Sequence, residues 1–132
     1  MNFRFPTVLI WLLFFALFAC QTPTNISTAP MNLNCIGNEP FWSVKIEPSG
    51  ITFQLLGEEP VIYPYKGAKT QGKAYTFQSS ITESRIKVLV SLEDCSDTMS
   101  GTRYPYRAEV EKDGKLLQGC AFTRGNNPAK GE

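Results

Sequence analysis

Histidine is absent from the 132 residues of this chain. With it go the Ser-His-Asp triads and every metal site that needs an imidazole ligand. An excess of either charge is also missing, since 13 Lys and Arg stand against 12 Asp and Glu. Nucleic-acid binding rests on neutralising phosphates, so a balanced chain without a basic stripe argues against that partner. No apolar run is long enough to cross a bilayer. The longest, "VLIWLLFFALF" at 8–18, has eleven residues, where a spanning helix needs about 20. Helical periodicity beyond a single turn is missing too.

What the apolar run does fit is the hydrophobic region of a secretory signal, with Arg4 as its positive flank. Residues 1–19 are therefore expected to be a signal peptide outside the fold. The run closes with "LFAC" at 17–20, which resembles the bacterial lipobox and implies that Cys20 is lipidated as the first mature residue. The alternative is ordinary cleavage near Ala19, with Cys20 an incidental thiol. Gln21 after the Cys, by the same resemblance, implies the outer membrane, with the protein facing the periplasm. Without Arg4 the mature chain carries 12 basic and 12 acidic residues.

The uncharged "QTPTNISTAPMN" that follows is too poor in apolar groups to offset its ordering entropy, so 20–33 reads as a flexible tether. "NIS" at Asn25 fits a glycosylation sequon that carries no meaning in a bacterial lipoprotein. Residues 123–132 read as a polar tail. One small domain remains at 34–122, with a core of marginal size.

That domain reads as all-β, because nearly every stretch alternates apolar and polar residues. "WSVKIE" buries Trp42, Val44 and Ile46; "ITFQLL" buries Ile51, Phe53 and Leu55. "AYTFQ" offers Tyr75 and Phe77, and "RIKVLVSL" offers Ile86, Val88, Val90 and Leu92. "YPYRAEVE" alternates Tyr104, Tyr106, Ala108 and Val110, and "KLLQGCAF" completes the set. Six to eight short strands with Gly- and Pro-rich turns predict a small antiparallel β-barrel or sandwich. "EKDGK" allows two turns in the last hairpin. A two-residue turn pairs Val110 with Leu117 and sets Cys120 outward beside Arg107. A bulged three-residue loop pairs Glu111 with Lys115 and turns Cys120 to the face of Tyr106. The charge pair and an inward Cys120 favour the bulged loop.

Three thiols lie in the domain: Cys35, Cys95 and Cys120. An exported protein meets an oxidising compartment. Cys95 closes one strand and Cys120 lies in the last, so these are the preferred disulfide pair, contributing roughly 3 kcal/mol by loop entropy. Cys35 is then a buried free thiol, or the true partner of one of the others. Three cysteines without histidine lack an ordinary zinc arrangement, and neither a metal nor a cofactor is expected.

Two polar motifs interrupt the alternation. "GNEPFW" (37–42) reads structurally as a turn at Gly37 and Asn38, with Pro40 at the first strand position and Phe41 and Trp42 on opposite faces. Functionally it would offer Asn38 and Glu39 as polar anchors above a Trp42 floor. "EDCSDTMSGTRYPY" (93–106) is either a connecting loop stapled at Cys95, with Asp97 and Ser100 bonding to local backbone, or an ordered recognition loop. Two Tyr-Pro bonds, at 63–64 and 104–105, are candidates for the cis form. As a catalytic site the segment is poor. Ser100 has no histidine and starts no Ser-x-x-Lys there, which leaves only Glu39 and Asp97 as a remote acid–base pair. A non-enzyme is expected.

"GNEPFWSV", then "C-x-D-T-M-S-G-x-x-Y-P-Y", then "DG-x-x-L-x-G-C" resemble a family of small, functionally uncharacterised bacterial envelope lipoproteins. The resemblance covers roughly 37–121. Family members look like stand-alone lipoproteins or modules joined to other envelope β-domains, among them the membrane-bound inhibitor of c-type lysozyme. "SGTRY" (100–104) is similar to the S-G-x-R-Y loop of that inhibitor. The similarity implies Ser100 as a hydroxyl inserted into the lysozyme cleft, with Arg103 and Tyr104 holding the loop. The inhibitor's second segment, an aromatic with a lysine downstream, has no counterpart; "KDGK" is nearest and reads as a hairpin. The sequence thus points to a binding module held at the membrane by its lipid, with c-type lysozyme or another envelope protein as partner. The rivals are a small-ligand or envelope-stress module using Glu39 and Trp42, and a purely structural envelope part.

Overall fold

The computed structural model describes residues 29–126 and 128. The signal peptide, Cys20, Asn25, most of the tether and half of the tail lie outside the described residues. Among the described residues there is no helix, and eleven strand segments follow one another. They are β1 (Leu33–Asn38), β2 (Phe41–Glu47), β3 (Gly50–Leu55), β4 (Val61–Tyr63), β5 (Ala68–Gln71), β6 (Ala74–Ile81), β7 (Ser84–Ser91), β8 (Cys95–Ser96), β9 (Arg103–Tyr104), β10 (Tyr106–Lys112) and β11 (Lys115–Thr123). The all-β expectation holds. The segments outnumber the six to eight expected because β4, β5, β8 and β9 are too short to show alternation.

Nine strands form one antiparallel sheet in the order β4-β3-β2-β1-β11-β10-β7-β6-β5, and β8 with β9 makes a separate hairpin. The linker from β4 to β5 joins opposite edges of that sheet with only residues 64–67. Eight inter-strand spacings of about 4.8 Å would put flat edges about 38 Å apart, whereas five Cα steps reach at most about 19 Å. The sheet must curl, and it does so into a half-barrel. Side chains rather than a ladder bridge the gap. Ser79 Oγ donates to the Pro64 carbonyl at 2.6 Å, and the Tyr63 and Ser84 hydroxyls lie 2.6 Å apart.

The concave face carries the core predicted by alternation: Trp42, Val44 and Ile46 on β2, Ile51 and Phe53 on β3, Phe77 on β6, Ile86, Val88 and Val90 on β7, and Ala108 and Val110 on β10. Leu33 and Cys35 of β1, Tyr63 of β4 and Leu117 and Ala121 of β11 complete it. Ala29 is buried and Leu33 fully so, while Arg124 pairs with Glu47 at 2.7 Å. The ordered domain therefore extends a few residues beyond 34–122 at both ends.

The last hairpin corrects the expected register. Lys112 pairs with Lys115, Val110 with Leu117 and Arg107 with Cys120. The turn has two residues, Asp113 and Gly114, both at positive φ (51° and 83°), which is the geometry of a type I′ turn. The anticipated Glu111–Lys115 pair does not form, and Cys120 faces outward. Two lysines opposite each other are tolerated because Lys112 points over the end of the core. Its Nζ lies 5.6 Å from the Phe53 ring centre and 6.0 Å from that of Tyr63. It bonds Ser84 Oγ at 2.9 Å and pairs with Asp113. Desolvation works against the Lys112 charge, but Asp113 and Tyr63 outweigh it and raise its pKa.

Leu92, expected inside, is exposed, because β7 ends at Ser91 and the chain leaves the sheet there. Leu55, Tyr75 and Tyr106 are only partly buried against the core.

Candidate functional site

Residues 92–105 link β7 to β10 and form a strap across the convex face of β11 and β1. Its attachment is covalent. Cys95 is bonded to Cys120, their Cα atoms 5.6 Å apart, and Cys35 is a buried free thiol. The preferred pairing is the one found. Burial pushes the Cys35 thiol up to about 12, so it stays protonated and inert at neutral pH. Beneath the strap Cys95, Tyr104 and Cys120 form a second apolar cluster with Ile36 and Phe122, separate from the main core. Tyr104 belongs here and not to the inner face. The strand alternation breaks at Pro105, and the Tyr104 ring packs 5.6 Å from Phe122. Burial, and then the charge of Asp97, raise the Tyr104 pKa.

"GNEPFW" turns at a different point from the one expected. Gly37 and Asn38 end β1, the cis Glu39–Pro40 peptide makes the turn, and Asn38 pairs with Phe41. No cis bond occurs at either Tyr-Pro among the described residues. Trp42 is 4 % exposed and sits on the inner face. A Cβ on Gly37 would lie 2.2 Å from Trp42 Nε1, and one on Gly119 would lie 2.9 Å from Trp42 Cζ2 and 1.9 Å from the Ile36 carbonyl oxygen. The two glycines are the bed on which the indole lies, and this explains the first residue of the motif by its last. Among the described residues Trp42 Nε1 has no hydrogen-bond partner.

Strap and turn meet. The Asn38 amide donates to Asp97 Oδ1, joining the two polar motifs that lie 59 residues apart. They border a cleft of about 570 Å³ lined by Asn38, Glu39, Ser96, Asp97, Arg107 and Gln118, among others. Gly37, Gly119 and the Cys95–Cys120 bridge lie in its floor. The strap itself is internally bonded. Asp97 N–H donates to Thr102 O at 2.9 Å and Gly101 N–H to Asp97 O at 2.8 Å. Asp97 also accepts from Met99 N–H at 3.0 Å and from Ser100 Oγ at 2.6 Å. The Thr102 hydroxyl lies 2.8 Å from Ser100 Oγ, and Thr102 N–H donates to that oxygen at 3.2 Å. A hydroxyl has one proton, and the Asp97 carboxylate takes that of Ser100. These donors, the Ser100 hydroxyl first and the Met99 amide second, hold the Asp97 carboxyl below its usual range.

Of the residues singled out from sequence, Asn38, Glu39 and Asp97 come together at the cleft, and Ser100 joins through Asp97. Arg103 is exposed on the strap, Tyr104 anchors it from below, and Trp42 lies across the sheet from the cleft, so it cannot serve as its floor. Arg107 and Gln118 were missed. Both sit in strand runs that look like ordinary alternation, and only the strap makes their outward face a wall. Arg107 also pairs with Glu93 of the strap at 3.2 Å. Among the described residues no group of three or more His, Cys, Asp and Glu is placed to hold a metal ion.

No family model, curated protein or solved structure matches this chain.

Proposed function

We propose that the protein is a non-catalytic recognition module, lipid-anchored through Cys20 on the periplasmic side of the outer membrane, that engages a protein partner with the tip of its strap. The observation that carries this reading is how the strap is tied down by its own contacts. A disulfide, a buried tyrosine and a closed set of hydrogen bonds fix it, so little conformational entropy remains to be lost on binding. Its outward groups are Thr98, Met99 (65 % exposed), Ser100 and Arg103. A rigid loop ending in an apolar side chain and a cation suits insertion into a concave surface bearing carboxylates. The cleft of c-type lysozyme, with its two catalytic carboxylates, is the partner we put first. Ser100 then acts by organising the loop through Asp97, and Arg103 supplies the complementary charge. Catalysis is disfavoured by Asp97 itself. Its carboxylate is held ionised by donors, which makes it a poor general acid and a weaker base than a free carboxylate.

The test is turnover of peptidoglycan by c-type lysozyme with the purified protein titrated in at micromolar concentration. Inhibition is expected, weakened about tenfold by Ser100→Ala, the equivalent of one lost hydrogen bond, and at least as much by Arg103→Gln. Absence of inhibition at every attainable ratio ends the lysozyme reading. One observation favours a second: the 570 Å³ cleft falls in the size range of small-ligand sites. A small polar ligand there would bond Asn38 and Glu39, and Glu39→Gln would weaken it while leaving lysozyme inhibition unchanged.

A further inference from the structure

A second concavity, of about 590 Å³, lies away from the strap and is lined by the β4–β5 linker together with β6, β7 and β10. Its lining includes Lys66, Arg85 and Lys87, with Gln78, Ser80 and Glu111. Three cations share it with one carboxylate. The placement follows from the fold. Arg85 and Lys87 are two apart on β7, so both project from the same outward face, opposite Ser80 and Gln78 of β6. Lys66 reaches the same concavity from the linker, which the buried Ser79 of β6 fixes through its 2.6 Å bond to the Pro64 carbonyl. Glu111 stands opposite Lys87 on β10. Even so, none of the three cations takes part in an ion pair among the described residues; those present involve Arg107, Lys112 and Arg124.

We infer that this concavity is a binding site for a phosphate-bearing anion. Arg85 offers a planar fork suited to two phosphate oxygens. Lys66 and Lys87 flank it as point charges, and the Gln78 amide and Ser80 hydroxyl can donate to the remaining oxygens. Three cations gathered at one spot beside a single carboxylate repel one another, and a bound polyanion relieves that repulsion. The chemistry recognised is the phosphoryl group itself, whether on a soluble species or on a lipid headgroup. The strap cleft differs in sign, carrying Glu39 and Asp97 against Arg107, so the two surfaces cannot take the same ligand.

The test follows backbone amide chemical shifts of the full folded protein while inorganic pyrophosphate is added at constant ionic strength. A parallel arm adds vesicles of phosphatidylglycerol in phosphatidylcholine, with pure phosphatidylcholine vesicles as the control. Saturable shifts confined to the amides around Lys66, Arg85 and Lys87 are expected. Saturation with pyrophosphate assigns a soluble phosphate, and a response to the anionic vesicles alone assigns a headgroup. Arg85→Gln with Lys87→Gln should weaken binding at least tenfold. Glu111→Gln, which removes the one opposing charge, should tighten it severalfold. All three side chains are exposed, so the fold is not at risk. Linear, unsaturable shifts with both probes, or binding indifferent to these substitutions, would overturn the inference.

Discussion

The two faces of the β1–β11 pair share one backbone and are held by opposite means. On the concave side Trp42 presses on Gly37 and Gly119, where no side chain fits. On the convex side Cys95, Tyr104 and Cys120 press on Ile36 and Phe122, and a covalent bond keeps them there. The inner face depends on volume. Close packing leaves no room to relax, so an added methyl is felt by the whole domain. The outer cluster is too small to hold a fourteen-residue connection by burial alone, and a cross-link takes over. The lesson is that the inside sets whether the domain folds, and the outside sets whether the strap is ordered.

The sharpest way to break that comparison is Gly119→Ala. The new Cβ would lie 1.9 Å from a main-chain oxygen, which no side-chain rotation relieves, so we expect a loss of about 3 kcal/mol or more. Denaturant unfolding monitored by Trp42 emission measures it. Stability close to wild type would show that the sheet can shift under the indole and that volume is not what holds the inner face. The next effect belongs to the outer face. Cys95→Ser with Cys120→Ser opens a loop with a sequence separation of 25 and should cost about 3 kcal/mol at most. Its distinguishing mark is location, since strap amides near Asp97 and Thr102 should exchange with solvent well before those of β2, β3 and β7. Uniform loss of protection would erase the division between the two faces.

These same faces explain what the sequence made legible. Alternation located the core of β2, β3, β7 and β10, because one buried face against one wet face leaves a period of two. It failed for Leu92 because β7 ends one residue earlier, at Ser91. It failed for Tyr104 and Cys120 because both were placed on the assumption of a single core, whereas the strap creates apolar demand on the other side of the sheet. The turn register went wrong for the same reason, since a preference for an inward Cys120 outweighed the plain Asp-Gly signal for a two-residue turn. The disulfide was legible because chain position sufficed. The meeting of Asn38 with Asp97 was not, since nothing in either motif specifies its distance from the other. The pairing of Gly37 and Gly119 with Trp42 had a visible signal: two glycines at inward positions beside a large aromatic.

A further effect concerns the inner face and appears only at high pH. The Cys35 thiol is raised by burial from 9.0 to about 12. Between these values the unfolded chain has released its proton while the folded chain keeps it. Stability is then complete below pH 9 and falls as pH rises toward 12, by about 1.4 kcal/mol per unit. Comparison with Cys35→Ala isolates this slope from the titration of tyrosines and lysines. In the same range iodoacetamide should label Cys35 only at the rate of unfolding. Rapid labelling of folded protein would mean that the inner face opens locally, against the tightness inferred from the glycines.

The smallest effect is confined to the strap and comes from Asp97. Its pKa is lowered by the Ser100 hydroxyl, the Met99 amide and the Asn38 amide. A lowered carboxylate contributes order above its unfolded value of 3.8, and that order is lost as pH falls through the folded value. The strap should therefore loosen in acid below about pH 4, while the sheet, which shares these bonds only through Asn38 at the end of β1, should respond lower, where Asp113 titrates at about 2. Asp97→Asn should reproduce that state at neutral pH. An amide has one carbonyl acceptor where the carboxylate has two oxygens, so Ser100, Met99 and Asn38 cannot all keep their bonds. We expect amide exchange at 97–102 to rise about tenfold, in line with one or two lost hydrogen bonds, with no change in the denaturation midpoint. A shifted midpoint would mean that the strap is part of the same cooperative unit as the core. An unchanged exchange rate would mean that the disulfide alone orders the strap and that the meeting of the two motifs at Asp97 contributes nothing to it.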